Sequence, residues 1–255
     1  MNIVVPIKFV PDLVEELEID PSGAALDRTF MRTIINEFDD HALEQALIIK
    51  ERSGGEITVI APDVEGADDM LYTASAKGAS RLVKLICDFS LGVNNHALAR
   101  ALTPVIKDQQ PDLVLTGVQA HDDLDGPVGA LLAEYLGMPY VGYIAGVTVA
   151  DGKCTVRKEY PGGVIAEFEV QLPAILGIQA AEKPPRYIIT SLIIQAMKTA
   201  AIDESFVDSF DTQGAVEISR MSQPQAATHA EMITGDSDKV ADDLIALLKN
   251  SGLLD

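Results

Sequence analysis

The residues best placed to do chemistry lie together between Asp112 and Gly129. Leu113 to Thr116 reads as a buried strand, Gly117 to Gly126 as a tight polar loop, and Pro127 as the first turn of a helix. In an open α/β sheet such a loop lies at the carboxyl end of a strand, where ligands bind. Backbone amides at a helix start near Gly126 to Gly129 can hold a phosphate without any basic side chain. Asp122, Asp123 and Asp125 sit where that phosphate would go, so their charge opposes a triphosphate more than a monophosphate. They can cap amides, bind ribose hydroxyls or face water.

A nucleotide site here must be built from several loops, because the first strand is not followed by a glycine-rich turn. Four stretches converge at the carboxyl edge if the strands are parallel: Pro6, Asn36-Glu37-Phe38-Asp39, Ala61-Pro62-Asp63, and Gly117 to Gly129. No catalytic constellation accompanies them. His41, His96, His121 and His229 are scattered, without metal-ligand spacing to one another or to Cys87 and Cys154. His41 reads as a surface histidine. Nucleophile-elbow, P-loop and dinucleotide-fingerprint glycine patterns are all missing. The three aspartates do not make an EF-hand, so a solvated acidic loop is expected and no metal site.

The elements that must carry these loops alternate. Ile3 to Val10 reads as a first strand, ended by Pro11-Asp12, with a surface hairpin around Asp20-Pro21-Ser22-Gly23. Asp39 to Arg52 has a helical apolar face, is capped by Asn36 or Asp39, and stops at Gly54-Gly55. Strands at 57–61, 82–86 and 113–116 alternate with helices at 66–77, 95–107 and 127–135, which predicts a doubly wound parallel sheet. The period then becomes two over 147–149, 154–157 and 165–170, with Asp151-Gly152 and Pro161-Gly162-Gly163 as turns: an antiparallel hairpin addition. Ala174 to Ile178 is a further buried strand. Past Pro184-Pro185 come a short helix from Ser191 to Ala200, a polar arm from Ser205 to His229, and an amphipathic helix from Ser237 to Asn250 capped by Ser237. The terminal helix must bury its stripe on its own domain or on another subunit.

Composition narrows the partners. A net charge of −20 argues against nucleic acid and anionic membranes, and suits a basic protein partner. Two distant cysteines suggest a reducing compartment. The first residues show no basic, cleavable leader, and no apolar run reaches the roughly 20 residues of a membrane span. A cytoplasmic bacterial protein is expected, with a processed organelle protein as the alternative.

An ordered set of short motifs adds to this. Val5-Pro6-Ile7-Lys8-Phe9-Val10-Pro11-Asp12 opens it, followed by Asn36 to Ala46 and by Ala76-Lys77-Gly78-Ala79-Ser80-Arg81. Gly117-Val118-Gln119-Ala120-His121-Asp122-Asp123, Gly162-Gly163, Leu172 to Leu176 and Pro185-Arg186-Tyr187 complete it. The chain resembles the β subunit of electron transfer flavoprotein over nearly everything up to about residue 200. That resemblance implies an adenine-nucleotide-type α/β domain over 1–183, a partner-recognition loop and short helix over 184–204, and a C-terminal arm and helix over 205–255 that dock on an α subunit. It implies a heterodimer in which the α subunit holds most of a redox-active FAD, while this chain buries AMP as a structural nucleotide.

Electrons would come from a flavin-dependent dehydrogenase and leave towards a quinone oxidoreductase, with no catalytic residue supplied here. By position, AMP would contact Pro6, Asn36, Glu37, Phe38, Asp39, Ala61, and the run Gly117, Val118, Gln119, Ala120, His121, Asp122, Asp123, Leu124, Asp125, Gly126, Pro127 and Val128. Leu13 would lie near the FAD. Thr190, Ser191 and Leu192 would sit in the partner-recognition segment, with Thr190 where relatives present a leucine. Val128 stands where relatives often have a hydroxyl. Two other readings remain: a bifurcating β subunit with a second FAD in place of AMP, and a stress-type ATP-binding regulatory domain with no redox role.

Overall fold

The computed structural model describes residues 1–87, 94–150, 152–224, 230 and 232–254. His229 and Asp151, named above, lie outside them. The strands are β1 (Asn2–Pro6), β2 (Phe9–Pro11), β3 (Thr33–Ile35), β4 (Glu56–Pro62), β5 (Arg81–Ile86), β6 (Leu113–Gly117), β7 (Tyr140–Ala150), β8 (Lys153–Tyr160), β9 (Val164–Gln171), β10 (Ala174–Ile178) and β11 (Ile202–Phe206). The helices are α1 (Glu37–Ser53), α2 (Ala67–Lys77), α3 (Asn95–Asp108), α4 (Val128–Leu136), α5 (Thr190–Thr199) and α6 (Ser237–Asn250).

Nine strands form one sheet in the order β11-β5-β4-β1-β6-β10-β7-β8-β9. The first seven in that order run parallel; β8 and β9 are added antiparallel. Alternate residues of each inner strand feed opposite faces, as strand geometry requires. Ile3, Val5, Leu113 and Leu115 pack with α1 and α2 on one side, and Val4 and Val114 pack with α3 and α4 on the other. Both faces are covered, which is why these strands read as continuous apolar runs. The doubly wound expectation is met.

Several local readings change. The expected first strand is two strands. β1 ends at Pro6, the chain bends, and β2 pairs with β3 in a separate antiparallel ribbon, Val10 opposite Ile34. Asn36 occupies the N-cap of α1 but makes no side-chain capping bond, and Asp39 lies inside the helix. Asp236, not Ser237, caps α6 through the Lys239 N–H. The β7–β8 hairpin pairs Ala150 with Lys153, and Gly152 has φ of +75°, a left-handed conformation that glycine adopts without strain.

The chain after β10 is strapped to α1 before it reaches α5. Ala181 N–H donates to His41 Nδ1 at 3.2 Å, so His41 is an internal tether rather than a surface residue. Arg186 forks onto Glu44, which is 3% exposed, and reaches Glu51 at 2.8 Å. Burial pushes the Glu44 carboxyl up, and the Arg186 hydrogen bonds outweigh it, leaving Glu44 below its ordinary range. β11 adds a parallel edge strand on β5. Val207 and Phe210 pack against the α3 face, and Arg100 donates to the carbonyls of Asp211 and Gln213. No residue of α6 is buried.

Candidate functional site

In the sheet order β1 lies between β4 and β6, and the strand order reverses between β1 and β6. Chain connections diverge at such a switch point, which leaves a crevice at the carboxyl ends of the two strands. A cleft opens there. Its apolar wall is Pro6, Ile7, Leu98, Leu102 and Val128; its polar wall is Lys8, Asn36, Asp39, Thr116, Gly117, Gln119, Ala120 and Asp123.

Asp39 ties the two strand ends together. Its carboxylate accepts from the Lys8 N–H at 2.8 Å and the Gly117 N–H at 2.6 Å. Burial pushes its pKa up to about 6, against the pull of those two amides. Gly117 is required for this approach, since a Cβ there would lie 2.7 Å from both Asp39 Oδ1 and the Phe38 Cβ. Asn36 uses its amide to hold the Gln119 carbonyl at 2.9 Å instead of capping α1.

The acidic loop is not free in solvent. The Lys8 ammonium pairs with Asp122 at 2.6 Å and Asp123 at 2.9 Å. Asp123 also accepts from Asn95 Nδ2 at 2.6 Å and from the Ala120 N–H at 2.8 Å. Asp125 accepts from the backbone N–H groups of Asn95 (3.2 Å) and His96 (3.5 Å), capping α3 beside Asn94, whose side chain accepts from the Ala97 N–H. Asp123 and Asp125 are thus held by partners within the protein, while Asp122, paired with Lys8, stays exposed as the expected solvated loop requires. Among the described residues no group of three or more His, Cys, Asp or Glu is placed to hold a metal ion.

The start of α4 is different. Pro127 is its N-cap, no side chain caps it, and its first turn carries no acid. Gly129 in that turn lies against Thr116 Oγ1 so closely that a Cβ would collide with the hydroxyl. Thr116 is 2% exposed, and its Oγ1 has no hydrogen-bond partner.

Of the residues singled out from sequence, Pro6, Asn36, Asp39, Gly117, Gln119, Ala120, Asp123 and Val128 are brought together in the cleft wall. Glu37, Phe38, Val118, His121, Asp122, Leu124, Asp125, Gly126 and Pro127 flank those positions in the chain without lining the cleft, and Ala61 is packed in the core. Leu13 is 62% exposed in the segment before β3, outside the cleft wall. Thr190, Ser191 and Leu192 form the first turn of α5 and are exposed. Lys8, Ile7, Leu98, Leu102, Asn95 and Thr116 were missed. Lys8 carries a readable signal, a lone cation directly after the Pro6 strand end; the others depend on how α3 and β6 pack.

One backbone outlier borders the site. Tyr143 has φ of +62°, rare for an aromatic residue. Its hydroxyl lies 3.3 Å from Gln119 Oε1, and the Lys158 ammonium stands 5.4 Å from its ring centre.

Fold and cleft together define the class: a doubly wound α/β protein with a cleft at its switch point. Comparison with known proteins narrows this. Residues 26–209 match the electron transfer flavoprotein domain. The chain is 34% identical to the electron transfer flavoprotein subunit beta of Methylophilus methylotrophus, covering 97% of this chain and 98% of that protein. It is 32% identical to the subunit beta of Thermoanaerobacterium thermosaccharolyticum over 98% of both chains. With that of Clostridium acetobutylicum it shares 36% identity over 77% of this chain and 75% of the relative. The chain belongs to the electron transfer flavoprotein family, whose members serve electron transport. Among the described residues no helix is long and apolar enough to cross a membrane.

Proposed function

We propose that the protein is the β subunit of a heterodimeric electron transfer flavoprotein that holds AMP as a structural nucleotide in the switch-point cleft. The observation that carries this reading is the uncapped start of α4 beside a buried, unpartnered hydroxyl in the switch-point cleft. Amide donors and a hydroxyl suit a phosphate, and the aspartates are turned to Lys8, Asn95 and the start of α3, away from the start of α4. The Pro6, Ile7, Leu98, Leu102 and Val128 wall suits a flat aromatic base.

In this reading the FAD sits mainly in the α subunit and supplies the electron-accepting and electron-donating chemistry. This chain supplies shape, exclusion of water and docking surface, and no acid, base or nucleophile. Residues 1–183 hold the nucleotide, with Leu13 facing the partner's flavin. Residues 184–204 present Thr190, Ser191 and Leu192 to a flavin-dependent dehydrogenase. Residues 205–255 wrap the α subunit, and α6 buries Val240, Leu244, Leu247 and Leu248 there. A quinone oxidoreductase is the onward acceptor, and the complex works in the bacterial cytoplasm.

Co-expression with an electron transfer flavoprotein α subunit tests the reading. A yellow 1:1 complex that survives gel filtration supports it. A colourless homodimer that binds ATP and ignores the α subunit would point to the regulatory-domain alternative.

A further inference from the structure

We infer that Thr116 is a ligand-binding residue whose hydroxyl donates to the phosphate of the mononucleotide held at the start of α4, an inference that rests on the AMP reading above. Three observations meet at one place. Thr116 Oγ1 is sealed from solvent and makes no hydrogen bond within the protein, although nearly all buried polar groups do. The residue ends β6 at the switch point and lines the cleft. The N-terminus of α4 next to it has no side-chain cap and no acid in its first turn.

An unpaired buried hydroxyl destabilises a fold unless something else satisfies it. A valine has nearly the same shape and would carry no such penalty. The hydroxyl therefore marks a function exercised when a ligand is present. The neighbouring chemistry names the ligand's class. First-turn amides and a hydroxyl are all donors, and helix N-termini favour anions. Val128 at the first helical position contributes only its amide, so Thr116 supplies the hydroxyl from the adjacent strand. Gly129 fits the same account: a side chain there would displace Oγ1.

The test compares AMP, adenosine and inorganic phosphate by thermal shift and calorimetric titration on the full-length chain, in wild type, Thr116→Val and Thr116→Ser. AMP affinity is expected to fall about tenfold or more in the valine variant, the loss of one hydrogen bond to a charged acceptor. Adenosine affinity should stay within twofold, the serine variant should bind AMP within threefold of wild type, and inorganic phosphate should protect wild type more than the valine variant. Without ligand the valine variant should melt at the same temperature as wild type or higher.

Equal AMP affinity in wild type and the valine variant would overturn the inference while leaving the AMP reading intact. So would equal loss of AMP and adenosine, or a lower melting point of the ligand-free valine variant, because either shows a structural role for the hydroxyl. A wild-type chain that binds no AMP overturns both.

Discussion

The switch-point cleft and the terminal helix α6 solve opposite problems. Around the cleft, polar groups from distant parts of the chain are buried and answered: Asp39 by the Lys8 and Gly117 amides, Asp122 and Asp123 by Lys8, Asp125 by the start of α3. What remains open there is small and polar, one hydroxyl and one helix start. On α6 the open groups are large and apolar. Leu244, Ile245 and Leu247 are 44–51% exposed, and the cap is a local bond from Asp236. The contrast is between a cleft whose charged groups are answered within the chain and a terminal helix whose apolar side chains stand exposed. A helix with such a stripe gains its stability from what it packs on.

The largest expected break is at the cleft. Gly117→Ala forces a Cβ to within 2.7 Å of the Phe38 Cβ and 2.8 Å of the Asp39 amide nitrogen, so backbone must move. Overpacking of this kind costs about 3 kcal/mol, which urea unfolding of the isolated chain will read as a lower midpoint.

The next effect is a pH dependence centred on Asp39. Asp39 has its folded pKa raised to about 6, above its unfolded value, because it is buried. The folded state therefore binds its proton more tightly. The resulting stabilisation is complete below the unfolded pKa and disappears as pH rises through about 6. Between pH 4 and 7 it is on the order of 2 kcal/mol. It should appear as the difference between wild type and Asp39→Asn unfolding curves; parallel pH profiles for the two would contradict it.

Lys8→Met comes third. Asp123 keeps its bonds from Asn95 and Ala120 while Asp122 loses its ammonium partner, so the loss is about 2 kcal/mol, and the gap to wild type should narrow as added salt screens the uncompensated carboxylates. Melting curves across a salt series check this.

The smallest effect on the isolated chain sharpens the comparison most. Leu244→Ser with Leu247→Ser should change its stability by less than about 0.5 kcal/mol, since both side chains are exposed. The same pair should weaken a complex with the α subunit strongly in a gel-filtration or pull-down titration. A large destabilisation of the isolated chain would instead mean that α6 packs on its own domain.

Much of the cleft was legible because its parts are local in sequence. The apolar run from Leu113, the glycine at 117 and the proline at 127 announce strand, loop and helix in order. Other features were hidden by distance. Lys8 meets Asp122 across 114 residues, and no local pattern distinguishes a solvated aspartate from one paired that far away. The split of β1 from β2 was missed because Pro6-Ile7-Lys8-Phe9 keeps a strand-like composition through the bend. β11 was missed because Asp203 and Glu204 make an edge strand look like a loop. The Thr116 hydroxyl was beyond reach, since a threonine in a strand is ordinary until its missing partner is seen.

The central claim is that the cleft holds one mononucleotide while redox chemistry resides with the partner. Acid extraction of the purified heterodimer, with mass spectrometry and absorption to count adenine nucleotides and flavins, tests it most directly. One AMP and one FAD per heterodimer is the predicted result. Two FAD without AMP, or an extract with no AMP at all, would contradict it.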